Sequence, residues 1–244
     1  MNIFLAGASG VIGRRLVPLL RDAGHSVTGT TRSPEKAAAL ATLGAKGVVV
    51  DVYDARALLQ AMYAAHPDVV IHQLTDLPDT IDPQTYPAAL TRNSRVRIEG
   101  TANLVAAALM SGARRMIAQS VAFAYAPGGE PHAESAPLDR SAEDTRRALV
   151  EGVLALENSV TEARGIDGVV LRYGYFYGPG TWDMAPTRKP PIHVDAAAHA
   201  AFLALTRGAP GIYNIAEDDG ALKIDKARRE LGFDPGFRLP VPSS

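Results

Sequence analysis

The chain of 244 residues contains no cysteine. That absence excludes a disulfide framework, a thiolate-ligated zinc and a cysteine nucleophile, and it suits a reducing, cytoplasmic setting. An excess of one charge is also missing: 25 Lys and Arg stand against 26 Asp and Glu, a formal net charge of −1. Without a long basic run, neither nucleic acid nor an anionic membrane surface is the expected main partner. No apolar run reaches membrane-spanning length, and Met1 leads directly into a strand pattern with no room for a signal peptide. No grouping of His, Asp and Glu has metal-ligand spacing, so no metal is expected. Aromatics are sparse at 6%, but apolar residues reach 47%, enough to fill the core of one large α/β unit.

What is present begins with Gly7-Ala8-Ser9-Gly10-Val11-Ile12-Gly13, directly after the apolar run Ile3-Phe4-Leu5-Ala6. Leu16, Leu19, Leu20 and Ala23 follow at helical spacing. A strand feeding a Gly-rich turn and then a helix start makes a phosphate cradle. The first helical N–H groups lack internal partners, the helix dipole favours an anion, and glycine admits the close approach of a pyrophosphate.

Strands and helices then alternate. The pattern predicts strands over 26–31, 46–51, 68–74, 115–121 and 167–172, with Val48, Val49 and Val50 buried on both faces. Ser33 caps a helix opened by Pro34, and Asp54 caps one running to about residue 64. Long helices are predicted over 87–111 and 143–164, ended by Gly112 and Gly165, with a surface loop over 126–142 between them. After Gly178-Pro179-Gly180 the pattern becomes irregular, with short strands at 192–194 and 211–215 and helices at 196–206 and 224–231. The series predicts an α/β fold: a doubly wound parallel sheet whose ligand lies at the carboxyl ends of the strands. The expected division is a dinucleotide-binding part over 1–175 and a small C-terminal substrate region over 176–244, interleaved with the sheet.

Several motifs now combine. They are Gly7 to Gly13; Asp51-Val52; Val69-Val70-Ile71-His72 leading to Leu74-Thr75; Leu171-Arg172-Tyr173-Gly174 through Tyr177-Gly178-Pro179-Gly180; and His193-Val194-Asp195. Together they resemble the extended short-chain dehydrogenase/reductases of the NAD-dependent epimerase/dehydratase group. The resemblance implies a Rossmann fold and an NAD(P)-binding oxidoreductase or epimerase-like enzyme acting at a hydroxyl or carbonyl carbon of a small molecule. It assigns the cradle to Gly7, Ser9, Gly10, Val11, Ile12 and Gly13. Asp51 and Val52 would meet the adenine, Gln73, Leu74 and Thr75 the ribose, and Tyr173 the nicotinamide. His193 and Asp195 would tie the C-terminal region to the sheet; with Ser120 they also draw a Ser/His/Asp triad, but Ser120 lacks the Gly-x-Ser-x-Gly elbow.

The chain departs from that group in one respect. The usual Tyr-x-x-x-Lys, which moves a proton and holds the ribose, is absent. None of the eight tyrosines is followed four residues later by Lys or Arg. With Glu157 as anchor, Leu149 and Val153 stand at the Tyr and Lys positions. The remaining proton donors are Ser120, Tyr125, Tyr173 or a water. Counting back four from Tyr125 reaches Val121, so Ser120 either faces the cofactor or satisfies a local hydrogen bond. Tyr173, Tyr175 and Tyr177 would share one face if extended.

At the end of the second strand, Gly29-Thr30-Thr31-Arg32-Ser33 carries no carboxylate for a ribose 2′-hydroxyl. Arg32 is a fork-shaped donor suited to phosphate and Thr31 offers a hydroxyl, so NADP(H) is favoured over NAD. Arg14 would add to the positive field. The region 181–192 is only twelve residues, shorter than the resemblance implies, and 216–223 is short in the same way: either the substrate cap is small or segments are missing there. Two further readings stand beside the enzyme: a non-catalytic NADP(H)-binding sensor or regulatory module, and a homo-oligomeric structural subunit whose two long helices pair across a dimer, although packing on the sheet explains their apolar faces more simply.

Overall fold

The computed structural model describes residues 1–78 and 80–240. The first half alternates β1 (Asn2–Ala6), α1 (Val11–Asp22), β2 (Ser26–Thr31), α2 (Pro34–Thr42), β3 (Lys46–Val49), α3 (Ala55–Ala65) and β4 (Val69–His72). There follow α4 (Tyr86–Arg95), a π-helical turn (Val96–Gly100), α5 (Thr101–Ser111), β5 (Arg115–Val121), α6 (Asp144–Thr161) and β6 (Asp167–Tyr173). The last elements are β7 (Tyr175–Tyr177), β8 (Pro191–His193), α7 (Val194–Leu203), β9 (Gly211–Ile215) and α8 (Asp225–Leu231). Seven strands form one parallel sheet in the order β3-β2-β1-β4-β5-β6-β9. The order reverses direction between β1 and β4, which opens the crevice where ligands of such sheets bind.

Side-chain alternation divides the core into two layers. Ile3, Leu5, Ile71, Ile117 and Leu171 face α1 and α7, together with Leu16, Leu20 and the alanines of α7. Phe4, Ala6, Val70, Met116 and Ala118 face the other way, onto Met62, Leu104 and Leu156. Thus α7 and β9, from beyond residue 176, build into the same layers as α1 and β6.

Several sequence expectations shift. The third strand ends at Val49, and Val49 is 50% exposed instead of buried, because β3 is an edge strand paired only with β2. The fourth strand ends at His72, where the chain bends over Gly7. The helix expected over 87–111 starts at Tyr86 and carries the π turn in its middle, where Gly100 packs under Val52. The helix expected over 143–164 stops at Thr161, ahead of Gly165 at φ +96°. The loop over 126–142 is not wholly superficial: Leu138 and Asp139 are buried, and Leu138 bridges to Tyr125. The tyrosine triplet does not share one face. Gly174 turns the chain, so Tyr173 enters the core beside Phe176, whereas Tyr175 stacks on Phe123 in a separate parallel pair of β7 with β8.

Candidate active site

The Gly-rich turn is built as the sequence implied. Gly7 has φ +87°, and a Cβ there would lie 2.6 Å from the Gln73 carbonyl oxygen. A Cβ on Gly13 would lie 2.5 Å from the Ala8 carbonyl and collide with that of Gly7. Both glycines are therefore required for β1, the turn and α1 to close upon one another. Gly10 caps α1 with no side-chain hydrogen bond, and no acidic residue occupies the first turn, so the positive end of the dipole is uncompensated. Val11 opens the helix and Ile12 is buried behind it. Ser9 donates to Thr31 at 3.2 Å, which ties the turn to the end of β2.

Arg32 and Arg92 flank Asp76, at 3.3 and 3.6 Å. Asp76 therefore faces two guanidinium groups at this end of the crevice. Asp51 caps its own turn, accepting from the Tyr53 N–H at 3.0 Å, while Asp54 caps α3 through Ala57. Val52 is buried between this turn and Gly100, and Asn103 donates to its carbonyl at 2.9 Å. Arg95 stacks over the Tyr53 ring at 4.0 Å.

Gln73 follows β4 and is 5% exposed, and among the described residues neither its Oε1 nor its Nε2 has a partner. The amide lies beside Tyr173 outside hydrogen-bond geometry. An orphaned buried amide next to a cradle that a Cβ would fill fits a dinucleotide, whose ribose carries hydroxyls to meet it. Leu74 is half-buried and Thr75 exposed along the same rim. The Leu74 N–H donates to His72 Nδ1 at 3.2 Å, so the imidazole proton sits on Nε2, which donates to Thr101 Oγ1 at 3.0 Å. Burial, reinforced by the positive charge of Arg97, pushes the His72 pKa down to about 4.

The hydroxyls expected to move protons are all engaged. Ser120 is fully buried and donates to Glu157 at 2.7 Å: of its two expected settings, the local bond is the one adopted. The same carboxylate receives Arg172 on both oxygens, at 2.7 and 2.6 Å. Tyr125 donates to Asn214 at 2.7 Å and accepts from Arg172 at 2.8 Å. Tyr173 is fully buried, donates to the Ala197 carbonyl at 3.1 Å, and burial pushes its pKa well above the usual tyrosine value. Leu149 and Val153 offer no replacement. His193 caps α7 by accepting from the Asp195 N–H at 3.2 Å. Asp195 in turn takes Arg15 at 2.8 Å, and Arg15 also donates to the Pro179 carbonyl. His193 and Asp195 thus link α7 to α1, and Ser120 is bonded to neither.

Sequence reasoning missed Asp76, Arg92, the Glu157–Arg172 pair and the buried Arg97. Each has an ordinary local sequence, and its role appears only when distant elements meet. Among the described residues no three His, Asp or Glu side chains converge as a metal site, and no helix is long and apolar enough to cross a membrane.

A nucleotide cradle on a doubly wound sheet defines an NAD(P)-binding protein of the oxidoreductase and epimerase class. A profile of the NAD dependent epimerase/dehydratase family matches residues 3–200, and the chain belongs to that family. A Streptomyces protein named 3-diazoavenalumate denitrifying reductase is 39% identical over 265 aligned positions, covering 99% of this chain and 85% of that one. The alignment is longer than the chain, so the relative carries insertions. The fold is also that of the UDP-glucose 4-epimerase of Thermotoga maritima, solved with UDP-glucose (TM-score 0.76, 18% identity, 98% and 94% coverage). A UDP-glucuronic acid 4-epimerase variant from Bacillus cereus, solved with NAD, superposes with TM-score 0.77 at 15% identity, covering 98% and 95%.

Proposed function

We propose that the chain is an NADPH-dependent reductase whose substrate needs hydride but no proton from the protein, and that an arenediazonium ion losing dinitrogen is that substrate. The observation that carries this reading is that none of the three expected proton donors has a free hydroxyl. Ser120, Tyr125 and Tyr173 are each committed to a protein acceptor, and apolar residues stand where the relay would be. When bound, the reduced dinucleotide would supply a hydride to the carbon bearing the diazonium group, and the C–N electron pair would leave with dinitrogen. That conversion consumes no proton, so the protein's task is to bind, orient and exclude water. The denitrifying activity in the name of the 39% identical relative supports the same assignment.

The chain's residues divide that task. Gly7, Gly10, Gly13 and the start of α1 would hold the pyrophosphate, and Gln73 the ribose. Arg32, with Arg92 beside it, would take the 2′-phosphate, which supports NADP(H) over NAD. A homodimer through α4, α5 and α6 belongs to the same reading, supported by the exposed Ile98 and Met110.

The test is to mix the protein with NADPH deuterated at C4 and a stabilised arenediazonium salt. Loss of absorbance at the nicotinamide band, dinitrogen release and deuterium on the aromatic carbon are expected together. Tight NADPH binding with no turnover on this or any carbonyl substrate would instead support a non-catalytic NADP(H) sensor.

A further inference from the structure

One buried cation has no role in the arrangement above. Arg97, in the π turn, is 6% exposed, and among the described residues it has neither a hydrogen bond nor an ion pair. Arg172 is buried to a similar degree but makes four hydrogen bonds, two of them to Glu157. Glu157 is saturated by Arg172 and Ser120, so among the described residues no carboxylate is in contact with Arg97. Glu157 and Tyr86 lie only within its electrostatic range, and burial lowers the Arg97 pKa to about 10. Keeping an unpaired charge inside a protein is costly unless something else pairs with it.

Its position indicates what that is. Asn93, Arg97 and Thr101 recur on one helix face. Asn93 accepts from the Asp76 N–H at 2.9 Å, and Thr101 holds His72 at 3.0 Å. Arg97 thus stands between two anchors of the carboxyl end of β4, at the crevice. A Cβ on Gly152 would lie 3.1 Å from Ser94, so α6 packs closely here, and the turn beyond Gly152 carries Val153, where a lysine is missing. The phosphate cradle lies on the opposite side of β4, at the start of α1. The nearby rim is aromatic: Tyr86 meets Trp182 edge-on at 6.0 Å, and Tyr175 stacks on Phe123 at 4.2 Å.

We propose that Arg97 receives an anionic oxygen of the substrate, a carboxylate borne on an aromatic ring that enters past Tyr86 and Trp182. This rests on the reading of the crevice as a site for a dinucleotide and a small molecule. A guanidinium offers a carboxylate two parallel hydrogen bonds, and its low exposure leaves that pairing little screened by water.

The test uses the full chain saturated with NADP⁺, titrated calorimetrically with 4-hydroxybenzoate and with its neutral amide. The native protein is expected to bind the carboxylate at least tenfold more tightly than the amide. In Arg97→Gln that preference disappears, in Arg97→Lys it survives in part, and NADPH affinity stays unchanged in both. Removal of an unpaired buried charge also raises the melting temperature of ligand-free Arg97→Gln, whereas loss of a structural arginine lowers it. The proposal is overturned if Arg97→Gln melts lower or does not fold, if it keeps the preference, or if the native protein lacks one. Intact NADPH binding in that event leaves the dinucleotide reading standing. Failure of the native chain to bind any dinucleotide removes both.

Discussion

Ser120 and Arg172 share one oxygen of Glu157, each at 2.7 Å, so the serine hydroxyl belongs to a buried ion pair and not to the crevice. Ser120→Ala is therefore expected to keep turnover within about threefold of native while losing roughly 1–3 kcal/mol of stability, since Glu157 loses a donor. Glu157→Gln leaves Arg172 without its counter-charge and is expected to cost about 3–5 kcal/mol, read from urea unfolding midpoints. A much larger loss of activity than of stability in Ser120→Ala would return the serine to the chemistry.

His72 gives the fold an acid sensitivity. Its folded pKa of about 4 lies below the ordinary histidine value of 6.5, so the unfolded chain binds more protons between these values. Its contribution is fully present above pH 6.5 and is lost as the pH falls toward 4. Between pH 7 and pH 5 this one residue is expected to withdraw about 2 kcal/mol. His72→Gln keeps a donor for Thr101 without a titrating ring. Its stability should change correspondingly less over that interval, as denaturant titrations at the two pH values would reveal.

Arg32 shares Asp76 with Arg92, and on the proposed reading this pair takes the 2′-phosphate. Arg32→Ala is expected to reduce the affinity ratio of NADPH to NADH about tenfold, worth about 1.4 kcal/mol. Asp76→Asn frees both arginines and should tighten NADPH a few-fold with NADH little changed. Nicotinamide fluorescence titrations measure both. An unaltered ratio in Arg32→Ala would mean that Arg32 is only a solvated charge.

Gly13 is the tightest point of the cradle. Gly13→Ala sets a Cβ against the Ala8 and Gly7 carbonyls, and backbone cannot yield as a side chain can. The expected outcome is a loss of about 3 kcal/mol or more, with dinucleotide affinity falling in parallel. Thermal unfolding with and without NADPH separates the two effects.

The layered sheet was legible because its signals are local. Apolar runs such as Val69 to Ile71 and stops such as Gly112 can be read without knowing any neighbour. The exposure of Val49 could not, because it depends on the lack of a strand beyond β3. The β7–β8 pair joins segments that are unremarkable alone. In the site, the cradle follows from glycine spacing, but Arg97 sits in Arg95-Val96-Arg97-Ile98-Glu99, which reads as a solvated helix face. Its burial depends on the π turn and on the small residues of α6. Likewise, Ser120 shows its partner only when β5 and α6 are brought together.

Arg15 grips Asp195 at the start of α7 and the Pro179 carbonyl at the mouth of the crevice, one turn behind the helix end that would take the pyrophosphate. Through these contacts, that helix end is tied directly to the 178–183 turn. Linkage makes any such coupling two-way: whatever advantage a bound dinucleotide gives the second ligand, the second ligand returns in equal measure. One arginine thus joins the helix end, the 178–183 turn and the start of α7, so on the proposed reading the apparent affinity for either ligand is expected to depend on whether the other is present.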